Sequence, residues 1–141
     1  LSVNVTLASG NYFVRVENPD GNAGRSTNNI ITASTAPTFS TNAGSLGTVN
    51  FGQAGSFTVS ASSDSAVTFS KVSGTFPSGL TLNTSTGVIS GTENSGGSSN
   101  TTSNFTIRVT DAEGQTADRA FSILTEVPNY FGDGSDGSLS T

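Results

Sequence analysis

The segment Asn104-Phe-Thr-Ile-Arg-Val-Thr-Asp-Ala-Glu-Gly-Gln-Thr116 has a counterpart 93 residues upstream, Asn11-Tyr-Phe-Val-Arg-Val-Glu-Asn-Pro-Asp-Gly-Asn-Ala23. The two align without a gap. Asn, Arg, Val and Gly are identical in register, and Tyr/Phe, Val/Ile, Asn/Asp, Asp/Glu and Asn/Gln replace like with like. The register continues, with Ile30-Ile31-Thr32 falling on Ile123-Leu124-Thr125, and each copy then runs into a proline, Pro37 or Pro128. Each copy alternates apolar and polar residues before an Asx/Pro/Gly-type turn, which reads as strand, turn, strand. A period near 90 residues is too long for a solenoid repeat and suits a β-sandwich of about 100 residues. The chain is therefore expected to hold the end of one unit and the whole of a second, in a tandem array.

The 141 residues carry only 11% charged side chains, whereas Ser and Thr number 45. Val, Ile, Thr and Phe fill the apolar and β-branched positions, and Gly and Asn punctuate them, which is a composition for short strands and turns. Ala, Leu, Glu and Lys are too scarce for helices. Disorder is the competing reading of so polar a chain, but residues 37–126 alternate too regularly for it. A net charge of −5 with one lysine, Lys71, argues against binding nucleic-acid backbones or anionic lipid. No apolar run approaches the roughly 20 residues of a membrane helix. The chain has no methionine, begins at Leu1 and shows no signal peptide, so a processed product or a fragment of a longer protein is expected. With no cysteine there is neither disulfide stapling nor thiolate chemistry.

Residues 1–8 alternate Leu1, Val3, Val5 and Leu7 as a half-buried strand; Gly10 breaks it, and Tyr12 to Glu17 form the next. Asn18-Pro-Asp-Gly21 turns the chain, and about 25–33 returns antiparallel. Three such strands bury too little to stand alone, so upstream residues, or strands from another chain, must complete them. Ser34-Thr-Ala-Pro37 reads as a linker. Beyond it, strands are predicted near 38–41, 56–61, 66–72 (Val67, Phe69, Val72), 80–83, 87–90, 103–110 and 117–125. Seven short strands with turn signals every 8–12 residues predict an all-β, immunoglobulin-like antiparallel sandwich. Phe57, Phe69, Phe105 and Phe121 are its expected core, each worth about 1.5–3 kcal/mol on burial. The Gly/Ser/Asn-rich stretch 93–103 is expected to be a mobile loop. The domain division is 1–35 for the incomplete unit, 36–127 for the complete one, and 128–141 for a Gly/Asp/Ser-rich junction to a following module.

Phe76-Pro-Ser-Gly-Leu-Thr-Leu-Asn-Thr-Ser-Thr-Gly-Val-Ile-Ser-Gly-Thr92 resembles the signature of the "putative Ig" modules, relatives of cadherin-like domains in bacterial and phage surface proteins. That signature runs Leu-Pro-x-Gly-Leu-x-Leu-(Asn/Asp)-x-x-Thr-Gly-x-Ile-Ser-Gly-Thr-Pro. Here Phe76 replaces the leading Leu, and Glu93 stands where Pro is usual. The resemblance covers about 37–126 and includes Phe105 to Gly114. Physically the motif is a hairpin: Pro77 and Gly79 set a turn, Leu80 and Leu82 point into the core, and Gly87 closes the turn before Val88-Ile89. Residues 9–33 resemble the closing strands of the IPT/TIG group of Ig-like domains, whose ends read Gly-x-Tyr-x-Val-x-Val-x-Asn-Pro-Asp-Gly. Asn129-Tyr-Phe-Gly-Asp-Gly-Ser-Asp-Gly137 resembles a short segment that recurs in tail and other virion proteins of tailed phages, often at a junction between modules.

No motif assembles a reactive centre. Gly132-Asp-Gly-Ser-Asp-Gly137 matches G-x-G-x-x-G in form, but a dinucleotide site needs it between a strand and a helix. Asp133 and Asp136, Asp20 with Asn22, and Asp111 with Glu113 are oxygen donors of the kind calcium uses. None follows an EF-hand or cadherin interdomain pattern, and Asx before Gly is an ordinary turn former. Serine catalysis lacks any base but Lys71, expected on an exposed strand face, and the pair Asp118 and Glu126 shows no pattern beyond surface charge. Sugar binding usually wants aromatic platforms, and only Tyr12 and Tyr130 are at hand, with no Trp. Sequons at Asn4, Asn83, Asn100 and Asn104 are what chance gives in so Asn-, Ser- and Thr-rich a chain. The chain is therefore not expected to be an enzyme. No catalytic, cofactor-binding or metal-ligating residue is assigned, and no cofactor is expected.

The resemblances imply a structural segment of a tailed-phage virion, in a tail fibre, spike or capsid-attached fibre, acting as a rigid Ig-like spacer and interaction module. Its expected partners are copies of itself, as a homo-oligomer, and other virion proteins, with host-surface glycans a further candidate and no nucleic acid or membrane among them. The alternative is a glycan- or cell-surface-binding module of a bacterial adhesin, located at the bacterial surface rather than in the virion.

Overall fold

A computed structural model describes residues 7–8, 10–25 and 31–128. Among these residues the strands are β1 (Gly10–Tyr12), β2 (Arg15–Glu17), β3 (Ala23–Arg25), β4 (Ile31–Ala33), β5 (Thr38–Phe39), β6 (Gly44–Asn50) and β7 (Ala54–Thr58). They continue as β8 (Ala61–Ser62), β9 (Val67–Gly74), β10 (Leu80–Leu82), β11 (Val88–Thr92), β12 (Thr101–Asp111) and β13 (Thr116–Glu126). None of the described residues is helical, so none forms a helix long and apolar enough to cross a membrane.

From residue 37 onward the strands make a sandwich. One sheet has the order β6-β13-β12-β9 and the other β10-β11-β7, while β8, which follows β7 after Val59 and Ser60, pairs with β5 in a two-stranded sheet. All pairings are antiparallel except β13 with β6. The opening segment thus contributes the two-residue β5 beside β8 and then the seven-residue β6 beside β13. This arrangement matches the immunoglobulin-like sandwich with its Greek-key connections.

Alternation decides which faces meet. In β12, Phe105, Ile107, Val109 and Asp111 are buried with half-buried residues between them; in β13, Phe121, Ile123 and Thr125 follow the same rule. Opposite them Val49, Val59, Phe69, Leu80 and Ile89 complete one core. Phe39, Phe121, Phe105 and Phe76 form a chain of ring contacts, two of them edge-to-face at 5.8 and 4.7 Å between centroids, the geometry aromatic quadrupoles prefer. Phe57 is half-buried against this core. The hairpin of residues 76–92 forms as expected: Leu80 is buried, Leu82 packs on the core, and Leu80, Thr81 and Leu82 face Gly91, Ser90 and Ile89.

Four expectations need correction. The strand β6 was not foreseen: Gly44-Ser-Leu-Gly-Thr-Val-Asn50 holds two glycines and little alternation, and its partner is the distant β13. Val72 is 43% exposed rather than core. It is the extra residue of a bulge, since Lys71 faces Ile107 and Ser73 faces Thr106, and a bulge re-aims the side chain it carries. The stretch 93–103 is not all loop, because Thr101–Ser103 belong to β12 and Glu93 is wholly buried. Tyr12 to Glu17 is two short strands interrupted at Phe13 and Val14.

The upstream repeat reproduces the inner pairing of the downstream one. Glu17 faces Ala23, Val16 faces Gly24 and Arg15 faces Arg25; 93 residues on, Thr110 faces Thr116, Val109 faces Ala117 and Arg108 faces Asp118. The outer pairing differs, since Tyr12 faces Ile31 whereas Phe105 faces Phe121. Of residues 1–8, expected as a strand, 1–6 lie outside the described residues and 7–8 are not strand; of the junction 128–141, all but Pro128 lies outside them.

Candidate functional site

The hairpin between β12 and β13 turns at one pole of the sandwich, and its geometry is set by Asp111. The Asp111 backbone N–H donates to the Gln115 carbonyl at 3.0 Å, and the Gly114 N–H donates to the Asp111 carbonyl. The Asp111 carboxylate lies over the turn, with Oδ1 accepting from the N–H groups of Glu113 (3.1 Å) and Gln115 (2.7 Å). This is the local side-chain-to-backbone bonding that makes Asx residues turn formers. The other oxygen, Oδ2, is sealed from water and has no hydrogen-bond donor.

Two further carboxylates stand beside it. Asp64, from the bend after β8, and Glu113, from the hairpin turn, each bring an oxygen so that these two and an Asp111 oxygen lie within 4.8 Å of one another. Asp64 and Glu113 are exposed, and Asp111 is 95% buried by the 5% of its surface left open. Around them sit hydroxyls: Ser34 lies 3.1 Å from Asp64 Oδ1 and 3.4 Å from Glu113 Oε2, and Ser65 donates to Glu113 Oε2. The Ser65 hydroxyl also accepts from the Ala112 N–H at 3.2 Å. Hence the segment 34–35 is not a free linker. The Thr35 N–H donates to Asp64 Oδ2 at 3.0 Å, Ser63 Oγ donates to the Thr35 carbonyl, and Gln115 Nε2 donates to Ser34 Oγ at 2.8 Å. Pro37, two residues on, is fully buried.

The other residues singled out in the sequence stay apart from this cluster. Asp20 and Asn22 hold the upstream turn, where the Asn22 N–H donates to Asp20 Oδ1 at 3.2 Å. Lys71 is exposed as expected; its Nζ donates to the Gly74 carbonyl at 2.9 Å and lies 5.1 Å from the Phe76 ring centroid. Asp118 and Glu126 lie at opposite ends of β13 and are not brought together. Asp118 instead accepts two hydrogen bonds of 2.7 Å from Arg108. Those bonds hold its carboxyl below the ordinary carboxylate range, against the smaller opposing effect of burial, and hold Arg108 above its ordinary value. The Tyr12 hydroxyl donates to the Ala8 carbonyl at 2.6 Å, whereas Asp133, Asp136 and Tyr130 lie outside the described residues. At the far pole, the buried Glu93 accepts from the Ser95 N–H through Oε1, and its Oε2 has no donor.

Asp64 is the member of the cluster that the sequence left unmentioned. It sits in Ser62-Ser-Asp-Ser65, a turn-like context 47 residues from Asp111, and nothing local marks it as the neighbour of that residue.

Comparison with known proteins gives the family. The sequence model described as "Putative Ig domain" matches residues 36–126. No curated protein matches the chain. Among solved structures, the endo-fucoidan hydrolase MfFcnA4 from glycoside hydrolase family 107 superimposes with a TM-score of 0.53 at 17% identity, over 92% of this chain and 21% of that one. A variant of the same hydrolase gives 0.54 over the same shares. A chimeric titin Z1Z2 carrying an exogenous decorin peptide gives 0.45 at 20% identity, over 68% of this chain and 99% of that one. The chain thus spans about a fifth of the hydrolase, and at such identity the likeness concerns the fold alone. The chain belongs to the Putative Ig domain family.

Proposed function

We propose that this member of the Putative Ig domain family is a spacer and interaction module of a tailed-phage virion protein, part of a tail fibre, spike or capsid-attached fibre. The observation that carries the spacer reading is the direction of the chain through the sandwich. The preceding segment docks by Ser34 and Thr35 beside the β12–β13 turn, at the Thr116 end of β13, and the chain leaves after Glu126, at its other end. Ten residue steps of strand separate the two ends, about 34 Å at 3.4 Å per residue. A unit that takes the chain in at one pole and releases it at the other adds its full length to a series. The two copies of the repeat, with the same inner register 93 residues apart, support a series of such units, the first completed by upstream residues.

The virion assignment is supported by the resemblance of Asn129 to Gly137 to a phage junction segment. Cohesion in such a module comes from the apolar faces of its strands, and its acidic, Ser/Thr-rich surface keeps it soluble at high local copy number. Its partners would be copies of itself and neighbouring virion proteins, and it would catalyse nothing. Immunogold labelling of purified particles with antibody raised against this chain is expected to decorate a fibre or spike. Undecorated particles, together with specific binding of the chain on a glycan array, would replace this reading with that of an adhesin module.

A further inference from the structure

We propose that Asp64, Asp111 and Glu113 bind a calcium ion at the pole where the chain enters the sandwich, and that the ion fastens Ser34 and Thr35 to that pole. Two independent observations meet there. The first is the convergence of three carboxylates from two separate segments, with ligand oxygens within 4.8 Å of one another. Like charges so close repel unless a cation or donors offset them. The second is Asp111 Oδ2. Its sister oxygen is fully occupied by two backbone N–H groups, yet Oδ2 is sealed from water without any donor. A buried charged oxygen left unpaired is costly, so native structures rarely keep one without a partner. A cation supplies that partner and the missing positive charge in one step.

The donor set selects the ion. It is all oxygen: three carboxylates and the hydroxyls of Ser34 and Ser65, in a chain with no cysteine or histidine. Soft or borderline metals prefer sulfur and imidazole, whereas hard divalent cations take oxygen. Calcium accepts 6–8 oxygens in irregular geometry, with water filling the remainder, while magnesium demands a near-ideal octahedron. Carboxylates drawn from two segments, one buried and two exposed, suit the looser calcium shell better. Affinity is expected in the range of extracellular modules, with Kd of about 0.1–1 mM.

The consequence lies in the linkage. Ser34 Oγ lies within hydrogen-bond reach of both Asp64 and Glu113, and the Thr35 N–H donates to Asp64. An ion that orders those two carboxylates therefore orders the segment leading in. The stiffness of a string of such units would then depend on calcium, which goes beyond the spacer reading.

The test is a calcium titration of the full 141-residue chain by calorimetry, with thermal melts in calcium chloride, magnesium chloride, sodium chloride at matched ionic strength, and chelator. Saturable binding is expected, with Tm raised by about 5–10 °C at roughly ten times Kd and a smaller rise in magnesium. Amide exchange at Thr35 and Ala36 should slow in calcium. The double substitution Asp64→Asn with Glu113→Gln should remove the calcium-dependent shift while leaving the melt in chelator within a few degrees of the parent. Glu113→Gln alone, which disturbs no backbone hydrogen bond described above, should weaken binding at least about tenfold and guards against misfolding of the double variant. Absence of heat and of any shift in calcium overturns the site. So does a shift that sodium chloride reproduces, that magnesium matches in full, or that survives the double substitution. Any of these results leaves the spacer reading standing, because that reading rests on where the chain enters and leaves.

Discussion

Asn83 and Gly87 show how single residues shape the family hairpin. The Asn83 side chain accepts from the N–H groups of Ser85 (3.0 Å) and Thr86 (3.1 Å), and its backbone pairs with Val88 and Gly87. The turn so formed brings Gly87 against Val59, in the link between β7 and β8, where φ is +72° and a Cβ would stand 2.1 Å from the Val59 carbonyl oxygen. Both the backbone angle and the space therefore require glycine. Gly114, at the β12–β13 turn, has φ +85° but nothing within 4 Å of a Cβ. The two sites separate conformational strain from collision. Gly114→Ala is expected to cost about 1 kcal/mol, the left-handed penalty alone. Gly87→Ala should cost about 3 kcal/mol or more, because backbone must move as well. Urea midpoints of both variants check this, and equal losses would show that the Val59 contact contributes nothing.

Among the elements, β12 and β13 were the most legible, because ten consecutive pairs alternate in phase with a period of two and Phe105 falls opposite Phe121. Their cross-strand pair Arg108 and Asp118 occupies the outer face, each side chain 42% exposed. In the upstream copy the corresponding positions are Arg15 and Arg25, so the sequence repeat preserves the pairing and not the charge complement. The hydrogen bonds from Arg108 hold the folded-state pKa of Asp118 below its unfolded value. A depressed carboxyl contributes stability above the unfolded pKa and loses it as pH falls through the folded one. The difference in urea midpoint between the parent and Asp118→Asn should therefore be greatest above about pH 5 and close toward pH 2. The effect will be small, since exposed pairs are screened by solvent. A gap that stays constant across this range would dissociate it from ionisation of Asp118. By contrast β6 was illegible, because its glycines and weak alternation carry no period and its parallel pairing to β13 is specified only by the assembled fold. The bulge at Val72 is likewise invisible to a period-two reading, which takes any valine near a strand end as core.

For the molecule as a whole, legibility followed the range of the interaction. The sandwich was readable because each strand writes its own inward face. The acidic cluster was half readable: Asp111 and Glu113 are two residues apart in one turn, but Asp64 joins them only once β8 and the hairpin meet. The docking of Ser34 and Thr35 was misread for the same reason, since polar residues before a proline look like linker until their partners are placed. The same reasoning predicts where the folding unit begins. Pro37 is fully buried, the core draws its members from Val49 to Ile123, and the hydrogen bonds described between the sandwich and what precedes it come from Ser34 and Thr35. A fragment of residues 34–128 keeps all of these and should unfold in one cooperative transition, as small single domains do. Its Tm is expected within about 2 °C of the full chain, because a contribution of 1 kcal/mol from residues 1–33 would already shift it by about 4–8 °C. A drop of that size would mean that the upstream strands share the core of the sandwich, and the two copies of the repeat would then belong to one folding unit instead of two in series.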